Sequence, residues 1–246
     1  MDAKMEDAPD DPQWARGETT LMELLIQLVE GKLKYLVAKD VGGTAMGLAE
    51  PVLPGGMLLL PGSFNPVHEG HEEMGKQAAN MLGRPCNHVL LELCVTNADK
   101  GVIDVESMHR RIEKAVHRGN QVLASGAMLF QQKAEMFPGS SFVVGFDTYR
   151  RILDAKYYAP AGCMDGSSPG QQREWTLNAL RQLHRCRVQF VVAGRMDSGD
   201  FKTIVTHPIM DLPQDLAGMF RELPDFRNDI SSTALRQKSL DTAPVL

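Results

Sequence analysis

The chain has 246 residues, and at roughly 150 residues per domain this gives about 1.6, room for one full domain with a sizeable core plus a small extension. It is 43% hydrophobic and 23% charged, and no apolar run approaches the roughly 18 residues of a spanning helix, so an integral helical membrane protein is excluded. The net charge of −5 argues against a protein that coats nucleic acid, which needs clustered Lys and Arg, and leaves a small or anionic ligand held locally.

Cys86, Cys94, Cys163 and Cys186 are widely spaced without a CxxC pair, which signals neither a zinc site nor a disulfide framework. The acidic start MDAKMEDAPDDPQW carries no secretory or transit pattern, so a cytoplasmic chain with reduced thiols is expected. Residues 1–16 are polar, acidic and broken by Pro9 and Pro12, and read as a tail. From Thr20, the spacing of Leu21, Leu24, Leu25 and Leu28 predicts an amphipathic helix ending near Gly31, and Tyr35 to Ala38 reads as a short strand. Gly42, Gly43, Pro51, Pro54, Gly55 and Gly56 then break the pattern. One helix and one strand are too little for a core of their own, so residues 1–50 are expected to be an N-terminal extension to a domain spanning 51–246.

Beyond the extension, apolar runs of four to eight residues alternate with helical stretches, as in a parallel sheet covered on both faces. Strands are predicted at Met57 to Leu60, Val89 to Val95, Gln121 to Ala124, Ser141 to Val144 and Arg187 to Ala193. Helices are predicted from Gly70 to Leu82, Val105 to Arg118, Asp147 to Leu153 and Gln171 to His184, with a long exposed loop from Ala159 to Gly170. The fold class is therefore α/β, a doubly wound parallel sheet of Rossmann-like type, with its ligand at the carboxyl ends of the strands. His88, His109, His117, His184 and His207 share no metal-ligand spacing. His109, Arg110 and Arg111 read as a solvated helix face.

The most informative segment is Pro61 to His71, PGSFNPVHEGH, which closes an apolar strand, turns through Gly62 and opens a helix near Gly70. Backbone N–H groups at a helix start, together with the helix dipole, make an anion cradle, and His68 and His71 stand three residues apart at its mouth. Neither GxxxxGK[ST] nor GxGxxG occurs near this strand, so it is not a P-loop or an ordinary dinucleotide fingerprint. Imidazoles aimed at a phosphoryl group can donate hydrogen bonds to charge building on its oxygens.

GSFNPVHEGH resembles the HxGH signature of the nucleotidylyltransferase superfamily, in the branch of nicotinamide and nicotinate mononucleotide adenylyltransferases, pantetheine-phosphate adenylyltransferases and cytidylyltransferases. ISSTALR, Ile230 to Arg236, is similar to the ISSTxxR motif with which that superfamily binds the nucleotide triphosphate, and it also makes physical sense as three capping residues beside a forked guanidinium. The resemblance covers roughly Leu58 to Gln237. Some similar cytidylyltransferase-like proteins carry an upstream domain related to nicotinamide-nucleotide amidases, of which residues 20–50 could be the connector.

The resemblance implies transfer of AMP from ATP to a phosphate-bearing acceptor, nicotinamide or nicotinate mononucleotide in NAD synthesis, with pyrophosphate release. The alternatives are CTP with another phosphorylated acceptor, or a nucleotide-binding sensor without turnover. It implies catalytic roles for His68, His71, Lys100 and Arg236. Nucleotide and phosphate binding falls to Gly62, Ser63, Phe64, Asn65, Gly70, Gly145, Asp147, Arg195, Ser231, Ser232 and Thr233. Mg2+ is expected on the triphosphate, held mainly by substrate oxygens and water. The expected partners are thus ATP or CTP and a small phosphorylated acceptor, with no nucleic acid and no membrane, and a homo-oligomer is left open. For a pyridine ring to stack on, the sequence offers Phe130, with Trp175 reading as a packed helix residue.

Overall fold

In the computed structural model, which describes residues 19–97, 101–197, 199–224 and 226, helix α1 (Leu21–Val29) starts at Thr20. The Thr20 hydroxyl accepts from the Glu23 N–H while the Glu23 carboxylate accepts from the Thr20 N–H, satisfying two donors that a helix start leaves over. The strands β1 (Tyr35–Val41) and β2 (Thr44–Ala49) follow. They are joined by Gly42 and Gly43, both at positive φ, 61° and 86°, as a two-residue hairpin turn requires. The glycines expected to break the pattern are therefore a turn within it, and the short strand ending at Ala38 runs on to Val41.

Next come β3 (Leu58–Pro61), α2 (Glu69–Met81), β4 (Val89–Cys94), β5 (Thr96–Asn97), β6 (Gly101–Val102), α3 (Val105–Val116), β7 (Gln121–Ser125) and α4 (Phe130–Met136). The remainder is β8 (Ser141–Gly145), α5 (Phe146–Ile152), α6 (Pro169–Arg185), β9 (Gln189–Ala193), β10 (Arg195–Asp197), β11 (Asp200–Lys202) and β12 (Phe220–Leu223). Eight strands form one sheet in the order β12-β9-β8-β3-β4-β7-β1-β2. The first six run parallel, and the β1–β2 hairpin adds antiparallel to β7. From β3 the chain builds outward through β4 and β7, then crosses back to build through β8, β9 and β12 on the other side. That reversal creates a crevice at the carboxyl end of β3, where open α/β sheets bind their ligands.

Strand alternation divides the core between the two faces. Leu58, Leu60, Leu91 and Leu93 pack with residues of α1, α2 and α3, and Leu59, Leu90, Phe142 and Phe190 with residues of α4, α5 and α6. The doubly wound class holds, and each of the five expected strands and four expected helices of the domain is present with no end moved by more than two residues. Strand β9 begins at Gln189 rather than Arg187 because Arg187 sits at φ 57°, incompatible with extended backbone. Helix α6 begins two residues early because Ser168 caps it, accepting from the Gln171 N–H, and Pro169 takes the first turn.

Sequence reasoning misses α4, seven residues without a capping side chain at Leu129, where the Gln132 amide oxygen instead accepts from the Met128 and Leu129 N–H groups. It also misses β12, which Phe220 recruits by stacking on Phe190 at 5.0 Å between centroids. Residues 21–49 share the main core, since Leu21, Leu24, Leu25 and Leu28 are buried with Ile112 and Val116 of α3. Among the described residues, no helix is long and apolar enough to cross a membrane.

Leu25, fully buried between α1 and the sheet, tests whether this segment unfolds with the rest. Leu25→Ala is expected to lower stability by about 2–5 kcal/mol, in a single urea transition followed by fluorescence and circular dichroism together. A separate early transition in the wild-type chain would show that residues 21–49 form their own unit.

Candidate active site

Strand β3 ends at Pro61 and α2 starts at Glu69, so the site is built on the turn between them. The Gly62 N–H donates to the Glu92 carbonyl at 3.0 Å, which continues the β3–β4 ladder by one residue. What Gly62 adds is space, because a Cβ there would lie 2.7 Å from the Phe64 ring. Phe64 is buried at φ 42°, a left-handed conformation that costs a non-glycine residue on the order of 1–2 kcal/mol. Its ring meets His71 edge-on at 5.1 Å. Asn65 precedes a cis peptide to Pro66. From α3, Arg111 donates to the Ser63 carbonyl at 3.1 Å, so this arginine tethers the turn and is not simply part of a solvated face. Its neighbours follow the expectation, His109 pairing with Glu113 and Arg110 with Glu106 along the helix surface.

His68 is the cap residue of α2 and His71 lies in its first turn, with Gly70 buried between them. The two imidazoles stack at 3.7 Å between centroids and 29° between planes. The His68 backbone N–H donates to His71 Nδ1 at 3.3 Å. A backbone N–H can only donate, so Nδ1 is the acceptor and the neutral His71 ring carries its proton on Nε2. Burial, reinforced by the adjacent His68, pushes His71 down to about 4, and burial also lowers His68. Glu72 pulls the other way, and it is itself held by Arg118 through two bonds of 2.7 Å and by Asn120 at 3.0 Å. His68 Nδ1 is buried without a hydrogen-bond partner, an acceptor or donor left for a ligand.

The turn opens onto a cavity of about 380 Å³ at the carboxyl ends of β3 and β4. Gly62, Ser63 and His71 form one wall, Met128, Phe130 and Lys133 of the α4 region another, and Thr148, Arg151 and Ile152 of α5 a third, with Tyr157 and Tyr158 beyond. The Tyr158 hydroxyl donates to the Ile152 carbonyl at 2.7 Å, and burial raises its pKa. At the floor sits Glu92, 1% exposed, paired with Lys133, 4% exposed. Glu92 Oε1 accepts from Lys133 Nζ at 2.5 Å and from Ser125 Oγ at 2.6 Å, while Oε2 is buried without a hydrogen-bond partner. Leaving such an oxygen unpaired costs about 1–3 kcal/mol.

The expected site residues divide into three groups. Gly62, Ser63, Phe64, Asn65, His68, Gly70 and His71 come together at the turn. Gly145 ends β8 and caps α5, and Asp147 in the first turn of α5 forms an ion pair with Arg195, which opens β10. The two side chains expected to face the nucleotide therefore meet each other, outside the walls of the cavity. Lys100, Ser231, Ser232, Thr233 and Arg236 lie outside the described residues. Phe130 lines the cavity, whereas Trp175 on α6 does not. Sequence reasoning misses Glu92 and Lys133, although a glutamate inside the apolar run VLLELCV, in a strand covered on both faces, is a legible anomaly.

A mostly parallel sheet whose reversal point carries a helix mouth, a stacked histidine pair and a cavity is the doubly wound architecture of nucleotide-binding α/β domains. The chain belongs to the cytidylyltransferase-like family of the nucleotidylyltransferase superfamily, since a family model described as cytidylyltransferase-like matches residues 59–238. No curated protein matches it.

The histidine pair also predicts how the protein responds to acid. The His71 ring takes up its proton near 6.5 when unfolded and only near 4 when folded, so between those values the unfolded chain binds the extra proton. Stability therefore rises with pH across that window and is lost as pH falls through it. The melting temperature is expected to drop from pH 6.5 to pH 4.5, and His71→Asn to flatten part of that slope. An unchanged slope would place the acid sensitivity on other groups.

Proposed function

We propose that the protein transfers AMP from ATP to a phosphate-bearing acceptor, nicotinamide or nicotinate mononucleotide, and releases pyrophosphate. The observation that carries this reading is His71, stacked on His68 at the mouth of α2 and lining with Ser63 the cavity at the crevice of the sheet. An oxygen of the acceptor phosphate attacks the α-phosphorus, the new P–O bond forms, and the bond to the leaving pyrophosphate breaks. The attacking oxygen is already ionised at neutral pH, so no general base is needed, and rate enhancement comes from alignment and charge stabilisation. His71 suits that task because its Nε2–H is the donor left to face the reacting group. Stacking on His68 and edge contact with Phe64 hold the ring without spending that proton.

In the same reading Ser63 and the first N–H groups of α2 cradle the α-phosphate. Gly145, Asp147 and Arg195 serve the nucleotide side, Lys100 contacts a substrate phosphate, and Ser231, Ser232, Thr233 and Arg236 hold the β and γ groups. Magnesium carried by the triphosphate would be held mainly by substrate oxygens and water, and would neutralise the triphosphate charge. ATP is favoured over CTP because GSFNP, the GxD element at Gly145 to Asp147 and ISSTALR together resemble the adenylyltransferase branch.

Magnesium-dependent pyrophosphate release, measured for ATP and CTP against both pyridine mononucleotides and phosphopantetheine, tests the proposal. Release is expected with ATP and a pyridine mononucleotide, and His71→Ala should lower kcat by about 100- to 1,000-fold with a much smaller change in nucleotide affinity. Equal losses in turnover and affinity would remove His71 from the transition state. Nucleotide binding that raises the melting temperature, with no release for any pair, would mark a sensor instead.

A further inference from the structure

We propose that the buried Glu92–Lys133 pair reads the end of the acceptor remote from its phosphate, and that it takes a primary carboxamide and rejects a carboxylate. The inference rests on the transfer reaction above, with the cavity as the acceptor's place.

Glu92 occupies a strand position on the α4–α6 face, between Leu91 and Leu93, where the pattern calls for an apolar side chain. Its Oε1 is fully engaged by Lys133 and Ser125, but Oε2 is buried and unpartnered on a residue that lines the cavity. An ammonium carries three donors, and Glu92 takes one from Lys133. The pair therefore holds, at two residues that line the cavity, one unpartnered acceptor beside a cation with further donors. Phe130, Tyr157 and Ile152 supply apolar wall around it, a setting for a flat ring.

A primary carboxamide carries an N–H donor and a carbonyl acceptor on one edge, matching Oε2 and the Lys133 ammonium together. A carboxylate has acceptors only, so one of its oxygens can meet Lys133 while the other confronts Oε2 at like charge. An amine would satisfy Oε2 but set its own charge against Lys133. His71 and Ser63 line the same cavity, so one molecule can place its phosphate at His71 and its amide at the pair. The cavity lies over β3, β4 and the α4 that follows β7.

Calorimetric titration of the full chain with nicotinamide mononucleotide and with nicotinate mononucleotide reads the preference directly, because these differ only in carboxamide against carboxylate. The amide is expected to bind at least about tenfold more tightly, as polar sites discriminate against a mismatched partner. In Glu92→Gln, whose side-chain amide can donate to a carboxylate, the ratio should collapse to within about threefold. The double variant Glu92→Gln with Lys133→Met leaves no buried unpaired charge and should behave likewise if the single variant fails to fold. Equal binding, tighter binding of the acid, no binding of either, or a ratio that survives in the variants would overturn the inference. Pyrophosphate release run in parallel separates the two readings. Transfer to both acceptors with equal efficiency sinks the selectivity alone, whereas amide-selective binding without any transfer sinks the reaction and keeps the selectivity.

Discussion

The chain must pass from the end of β3 into the first turn of α2 between residues 62 and 68, and the rest of the site hangs from that passage. Gly62 stays on the β3–β4 ladder through its bond to the Glu92 carbonyl, so the turn begins from a fixed point. Phe64 then folds back at positive φ and lies over Gly62, which only a residue without a Cβ permits. The ring so placed is what His71 leans on. Arg111 holds the turn from α3, and Arg118 with Asn120 holds Glu72 one residue beyond His71. A helix mouth, two imidazoles and a strained phenylalanine are thus braced from the helix that also packs α1 into the core.

Parallel strands covered on both faces leave little water for charged groups, and the site uses that dryness twice. At the mouth, burial pushes the pKa of both histidines down, and the His68 N–H, by donating to Nδ1 of His71, leaves the proton of that neutral ring on Nε2. At the floor, burial makes the Glu92–Lys133 pair costly unless every polar atom finds a partner, and one oxygen does not. His71 and the Glu92–Lys133 pair line one cavity together with Phe130 of α4 and Ile152 of α5. A ligand with an anionic end and a neutral polar end would satisfy both.

Much of this was legible from the residues alone. The leucine spacing of α1, the apolar runs of β3, β4, β7, β8 and β9, and the strand–turn–helix at PGSFNPVHEGH each carry their signal in local order, because periodicity and capping act over a few neighbours. The elements that escaped are short or depend on distant partners. β2 follows a Gly-Gly pair that is as compatible with a loop as with a hairpin, α4 has no capping side chain at its first position, and β12 exists because Phe220 finds Phe190. Arg111 fits a solvated face by sequence, and only the packing of α3 beside the turn brings it to the Ser63 carbonyl.

The sequence by itself determined the class of fold, the location of the turn between β3 and α2 and the two histidines at its mouth, because all three are written in contiguous segments. Tertiary structure alone decided that residues 21–49 close one edge of the main sheet, that Asp147 and Arg195 meet each other, and that Glu92 and Lys133 share the floor of a cavity. Those pairings join residues 41 to 90 positions apart, and a local pattern holds no information about which strands neighbour one another. The order of strands in the sheet supplies it, by setting which helix covers which strand and which buried charges must face the same space.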